Sequence, residues 1–211
     1  IRDFLGNTAL HYSVTTDQQD AAKKLILSGI DINAKNLAGQ TALAEAVSSG
    51  KVAMISTLLD NGADINASDA TGKTVLMNAI KGGNKDIVAL LLKRGASPLM
   101  QEMYGRNAYH DAAESKNIEI IEMVRLAGGM PLSRDAHGVT PFSLVMNNDE
   151  KALKEIIIKR VLGDNSNLLD SDGNTPLHIA VENRIIANTF SILLNQNYPI
   201  AARNRKGITP L

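Results

Sequence analysis

The chain has 211 residues, 22 Lys plus Arg balanced by 22 Asp plus Glu, no Cys and no Trp, with 44% hydrophobic and 3% aromatic residues. This is enough apolar material for a substantial core, which must be built from Ala, Leu, Ile, Val and Met, the set favoured by closely packed helices. The balance excludes the strong global positive field that non-specific nucleic-acid binding relies on, and the lack of Cys excludes disulfides, thiolate metal sites and a cysteine nucleophile.

No apolar run approaches the roughly 18 residues of a spanning helix, and Ile1-Arg2-Asp3 lacks the basic-then-apolar layout of a signal peptide. The expectation is a protein without nucleic-acid or membrane partners. A cytoplasmic location is favoured, and the opening without Met leaves room for an N-terminal targeting segment outside the sequence.

In chain order the same short pattern recurs: GNTALH at Gly6, GQTALA at Gly39, GKTVLM at Gly72, GRNAYH at Gly105, GVTPFS at Gly138, GNTPLH at Gly173 and GITPL at Gly207. The first five glycines are 33 apart, and the next steps are 35 and 34. Within a unit, Thr41 or Thr175 can cap a helix by accepting a backbone N–H, and Pro176 suits the first helical position because it has no N–H to satisfy. Leu43, Ala46 and Val47 then form one apolar stripe, as do Leu177, Ala180 and Val181. Gly50 and Gly83 mark a turn, after which a second helix carries Val52, Ile55, Leu58 and Leu59 and stops at Gly62. A tight turn follows in which Asp69 bonds its own backbone and Gly72 takes positive φ.

Later units depart from this scheme. The fourth has Asn107, Ala108 and Tyr109 where Thr, Pro and Leu are expected, and Pro98-Leu99 and Pro131-Leu132 replace Ile-Asn, which predicts a reshaped hairpin between the fourth and fifth units. The fifth has Val161 at the helix-ending place and Gly163 two later, so its second helix runs longer, followed by the loop Asp164-Asn165-Ser166-Asn167. In the sixth, Gln196 takes that place, leaving Asn195 or Asn197 to end the helix, and a kink in the stack is expected near these units. Neither end looks like a polar cap, because the sixth unit offers Ile185, Ile186, Phe190, Ile192, Leu193 and Leu194, so the array is expected to continue past Leu211.

A period of 33 with G-x-T-P-L-H-x-A, an L-L-x-x-G-A tail and D-x-x-G turns strongly resembles the ankyrin repeat. The resemblance covers essentially the whole chain. It implies an all-α fold, an ankyrin-repeat solenoid of stacked antiparallel helix pairs joined by β-hairpin-like turns. Residues 1–211 form a single domain with repeats at approximately 3–35, 36–68, 69–101, 102–134, 135–169 and 170–203 and a partial one at 204–211.

Chemistry-bearing residues are mostly absorbed by this pattern. Gly72-Lys73-Thr74 matches the tail of a phosphate-binding loop, but the first glycine such a loop needs is Ala67. His11, His110 and His178 each lie five residues after an anchor glycine, too far apart along a solenoid to converge on one ion; the resemblance implies that they order neighbouring turns through hydrogen bonds. Asp3, Asp69, Asp135 and Asp170 are all three before an anchor glycine, a turn-forming place. No H-E-x-x-H, G-x-S-x-G or calcium-loop spacing occurs, so no enzyme, cofactor or metal site is predicted.

In similar proteins, partners are generally bound by the concave surface, formed by the turn tips and first helices. Carried over by position, that surface includes Phe4, Leu5, Lys35, Leu37, Asn147, Asn148, Asp172 and Glu182. The candidate partner-binding residues are Lys73, Lys81, Gln101, Met103, Tyr104, Arg106, Arg134 and His137. Met103, Tyr104, Arg106, Arg134 and His137 fall on adjacent turns, and Tyr, Arg and Met are enriched in interface cores. The predicted function is a monomeric, non-catalytic protein-protein interaction module binding a protein or peptide partner of acidic character. The alternative is the targeting or regulatory section of a larger multidomain enzyme or effector.

Overall fold

The computed structural model describes residues 2–146, 151–163, 167–184, 187–196 and 198–211, with the side chains of 151–154 and 187–188 left aside. The expectations on Asn147, Asn148, Asp164, Asn165, Ser166, Ile185, Ile186 and Asn197 lie outside the described residues. Two compact units result, Ile1–Met103 and Tyr104–Leu211. The first contains α1 (Ala9–Thr15), α2 (Gln19–Leu27), α3 (Ala42–Ser48), α4 (Val52–Asp60), α5 (Val75–Lys81) and α6 (Lys85–Lys93). The second contains α7 (Ala108–Ser115), α8 (Ile118–Leu126), α9 (Pro141–Met146), α10 (Lys151–Leu162), α11 (Pro176–Glu182) and α12 (Ala187–Asn195). Among the described residues the extended structure is one isolated antiparallel bridge, Ser68 with Thr74.

Each unit is a two-layer stack of helix pairs. In the first, α1 packs on α3 and α3 on α5, while α2 packs on α4; in the second, α9 lies between α7 and α11, and α10 between α8 and α12. The short first helices begin where the sequence places their caps: the Thr41 and Thr74 side chains accept from the N–H groups of Ala44 and Met77. Asn107 does the same for Tyr109 and His110, so the fourth repeat loses its Thr without losing its cap. The residue four after each anchor glycine, Leu10, Leu43, Leu76, Tyr109, Phe142 or Leu177, is at most 1% exposed. Each such side chain is worth about 1.5–3 kcal/mol of transfer free energy.

Six of the turns share one hydrogen-bond scheme, with an Asp or Asn three before the anchor glycine; the fourth repeat has Glu102 in that place. The Oδ1 atom of Asp69 accepts from the N–H groups of Thr71 (2.8 Å) and Lys73 (3.0 Å), and Asp3, Asn36, Asp135, Asp170 and Asn204 accept from the equivalent pairs. Successive turns are then joined by single backbone bonds: Leu37 N–H to Leu5 O, Ala70 to Ala38 and Met103 to Thr71 in the first unit, and Ala136 to Tyr104 and Arg205 to Asp172 in the second. Gly39 shows what this closeness demands. Its φ is +75°, and a Cβ there would stand 2.4 Å from the Ala70 nitrogen, so both the left-handed backbone and the approach of the next turn require glycine.

One departure resolves differently from expectation. The turn before the fifth repeat keeps the common scheme, because Asp135 supplies it and Ala136 still reaches Tyr104. The interruption falls one step later, at the 35-residue spacing, where His137 and Ser171 occupy the bonding positions and no bond joins them. The fifth repeat's second helix is longer, as expected, with 12 residues in α10 against nine in α8. The α12 helix ends at Asn195.

Candidate interaction surface

Asp carboxylates or Asn carboxamides fix the main chain of six tips, and at the tip of Met103 and Tyr104 the rungs to Thr71 and from Ala136 do so, which leaves the side chains one and two before the anchor glycine to project. Several are large and apolar: Phe4 is 86% exposed, Leu37 78%, Met103 64% and Tyr104 52%. Met103 closes the first unit and Tyr104 opens the second.

Within the first unit, Lys81 ends α5 and is exposed, Gln101 is exposed, and Lys73 is half-buried with its N–H held by Asp69. Gly72 has φ +85° and Thr74 caps α5, so the GKT tripeptide is a turn and a helix start. Lys35 donates from Nζ to Ser68 O at 2.6 Å, joining one turn to the next.

In the second unit, Tyr104 and His137 come together, their rings stacked at a centroid distance of 6.3 Å and an interplanar angle of 27°. Arg106 pairs with Glu114 at 2.8 Å and lies 3.7 Å from Asp111. Arg134 is more deeply engaged: Nε donates to Asp170 Oδ2 at 3.0 Å, Nη2 to Glu182 Oε2 at 2.8 Å, and Nη1 to the Gly138 carbonyl at 3.3 Å. Arg2 and Arg203 cap the carbonyls of Gly6 and Gly207 in the same way. The Asp170 side chain is 1% exposed. Burial pushes its carboxyl pKa up, but hydrogen bonds from Asn174 and Arg134 outweigh that and hold it below the ordinary value.

Arg134 therefore spans the step at which the backbone rung is missing. Sequence reasoning read Asp170 as a turn residue and Glu182 as a variable face residue; their convergence on Arg134 crosses 36 and 48 positions and has no local signature.

The three histidines at the recurring place act alike. Nδ1 of His11 accepts from the Thr8 N–H (3.2 Å), so Nε2 carries the proton and donates to Gln40 O (3.1 Å). His110 bridges Asn107 to Val139 O, and His178 bridges Thr175 to Ile208 O. Burial, the largest influence, holds the His110 pKa below its ordinary value of 6.5, aided by Arg106 and opposed by Asp135, Glu114 and the Val139 carbonyl. Below pH 6.5 the unfolded chain takes up a proton that folded His110 refuses, so stability falls with pH through that window. Melting temperatures from pH 7.5 to 5.5 are expected to decline less steeply in His110→Gln; equal slopes would contradict this.

Among the described residues no group of three or more His, Asp or Glu is placed to hold a metal ion, and no helix is long and apolar enough to cross a membrane.

Comparison with known families agrees with this architecture. The family described as ankyrin repeats (three copies) matches residues 1–69 and 43–135, and the single ankyrin repeat matches residues 172–205. Between them lies the stretch containing the lengthened α10 and the interrupted rung. A search of curated proteins returned no match. Six helix pairs among the described residues, recurring caps, turn-bridging histidines and matches over most of the length place the chain in the ankyrin repeat family.

Proposed function

We propose that the protein is a non-catalytic binding module that holds a protein or peptide on the concave face formed by its turn tips and first helices. Ankyrin repeats are generally protein-protein interaction modules, and the finer reading rests on one observation: large apolar and aromatic side chains exposed on turns whose backbone is already pinned. A pre-ordered anchor loses little entropy on binding, so its buried area converts more fully into affinity.

In this reading residues 1–211 are one array with the repeat boundaries given above. The first unit contributes Lys73, Lys81, Gln101 and Met103; the second contributes Tyr104, His137, Arg106 and Arg134. An acidic partner suits Lys73 and Lys81, and suits Arg106 because its Glu114 partner is 55% exposed and can be exchanged for a ligand carboxylate at little cost. Arg134, clamped by two carboxylates, acts mainly by positioning the turn that carries His137.

The test is capture of partners by crosslinking, followed by titration of each against the wild type, Phe4→Ala with Leu37→Ala, and Tyr104→Ala with Arg106→Ala. The second pair is expected to weaken binding about tenfold or more, with light scattering reporting a monomer throughout. Partners indifferent to both pairs would remove the surface assignment.

A further inference from the structure

A cluster of charged side chains lies where α8 and α10 of the second unit meet. The residue 20 after the anchor glycine is Ile26, Leu59 and Leu92 in the first three repeats and half-buried in each; in the fourth it is Arg125, also half-buried. Three residues earlier, Glu122 stands where Lys23, Ser56 and Ala89 stand elsewhere. A charged pair thus occupies a place that other repeats fill with an aliphatic side chain. Beside it Lys159 takes the place at which the other second helices end, and Arg160 stands on the extra turn by which α10 continues.

The result is a cavity of about 350 Å³ lined by Glu122, Arg125, Ile156, Lys159, Arg160 and Gly163. Gly163 is part of the design: its φ is +66°, and a Cβ there would lie 2.9 Å from Arg125 Nη1, in the space the guanidinium occupies.

Three cations meet two carboxylates here. Arg125 forks onto Glu122 through Nη2 at 2.7 Å and Nε at 3.3 Å, and Lys159 pairs with Glu155 at 3.0 Å, an exposed i,i+4 contact. Arg160 lies 3.7 Å from Glu122, too long for a hydrogen bond, and its guanidinium makes none among the described residues. Among the described residues Arg125 with Glu122 and Lys159 with Glu155 cancel, leaving one net positive charge carried by the least committed guanidinium. Cations in the last turns of α8 and α10 are favoured by the helix dipole. The dipole accounts for their position along each helix but not for their convergence from two helices on one cavity.

We propose that this cavity binds the phosphate group of a small soluble phosphate ester, with Arg160 and Lys159 as the exchangeable donors and Arg125 held in place by Glu122 as the third. A planar guanidinium matches the geometry of an oxyanion, and the fork of Arg160 is free to supply two parallel bonds.

The probe is pyrophosphate, titrated against chloride at matched ionic strength, with melting temperature and amide chemical shifts as readouts. A saturable rise in melting temperature is expected, with shifts confined to α8 and the end of α10. Lys159→Ala with Arg160→Ala should raise the half-saturating concentration about tenfold or more, as should Arg160→Glu alone. Both positions are more than half exposed, 54% and 53%, so the fold tolerates these changes. Lys93→Ala, a last-turn lysine on α6, should leave the response unchanged. No saturable rise in the wild type, an undiminished rise in the double variant, or an equal loss in Lys93→Ala would each overturn the site.

Discussion

Tyr109→Ala is expected to destabilise the protein by about 3–5 kcal/mol, the cost of emptying a fully buried aromatic site that cannot collapse. The ring is 0% exposed in the row of core leucines, and it packs against Gly129, whose added Cβ would sit 3.0 Å from the ring. Its hydroxyl adds a second contribution by donating to the Val161 carbonyl at 2.6 Å. That carbonyl belongs to the last turn of α10, where the helix itself supplies no partner. Tyr109→Phe leaves the ring and removes the donor, so a loss of about 1–2 kcal/mol is expected. Chemical denaturation of the two variants separates these effects; a Phe variant as stable as the wild type would show that the hydrogen bond contributes nothing.

Arg134→Ala is expected to cost about 2 kcal/mol, because it strands the buried Asp170 carboxylate and removes the link across the interrupted rung. The figure lies below that for a fully buried pair because Asp170 keeps the N–H groups of Asp172 and Asn174 and the Asn174 amide. Arg134→Lys should recover only part of the loss, since an ammonium cannot reach Asp170 and Glu182 as a planar fork does. The folded pKa of Asp170 lies below its ordinary value of 3.8, so its contribution is complete above pH 3.8 and disappears as pH falls through the folded value. In the Arg134→Ala variant that acid-induced loss should shrink. Were Arg134 solely a recognition residue, its removal would weaken partner binding and leave the denaturation midpoint where it was.

Much of the repeat was legible because its determinants are local. The cap at Thr41, the αL glycine at Gly72 and the Asp69 turn each depend on atoms within four residues, so spacing alone identified them. The histidines at the recurring place were readable for half their role: the bond of His11 to Thr8 is local, whereas its reach to the Gln40 carbonyl crosses 29 positions. On the candidate surface, the stacking of Tyr104 on His137 follows from adjacent turns in register. The engagement of Arg106 and Arg134 with carboxylates did not follow, because a charge on a variable slot looks the same in sequence whether it faces solvent or a distant partner.

The two irregular repeats make the division plain. By itself the sequence determined that helices recur in pairs, where they start and stop, that the fourth repeat carries a Tyr in a Leu place and that the fifth has a longer second helix. Only the tertiary structure decided that these two oddities are one feature, since the extended α10 brings the Val161 carbonyl over the Tyr109 hydroxyl across 52 positions. It also decided that the spacing of 35 interrupts a backbone rung and that Arg134 bridges the step. Backbone dihedrals and caps are set within a turn of chain, whereas a buried hydroxyl, carbonyl or carboxylate takes whichever partner packing delivers to it.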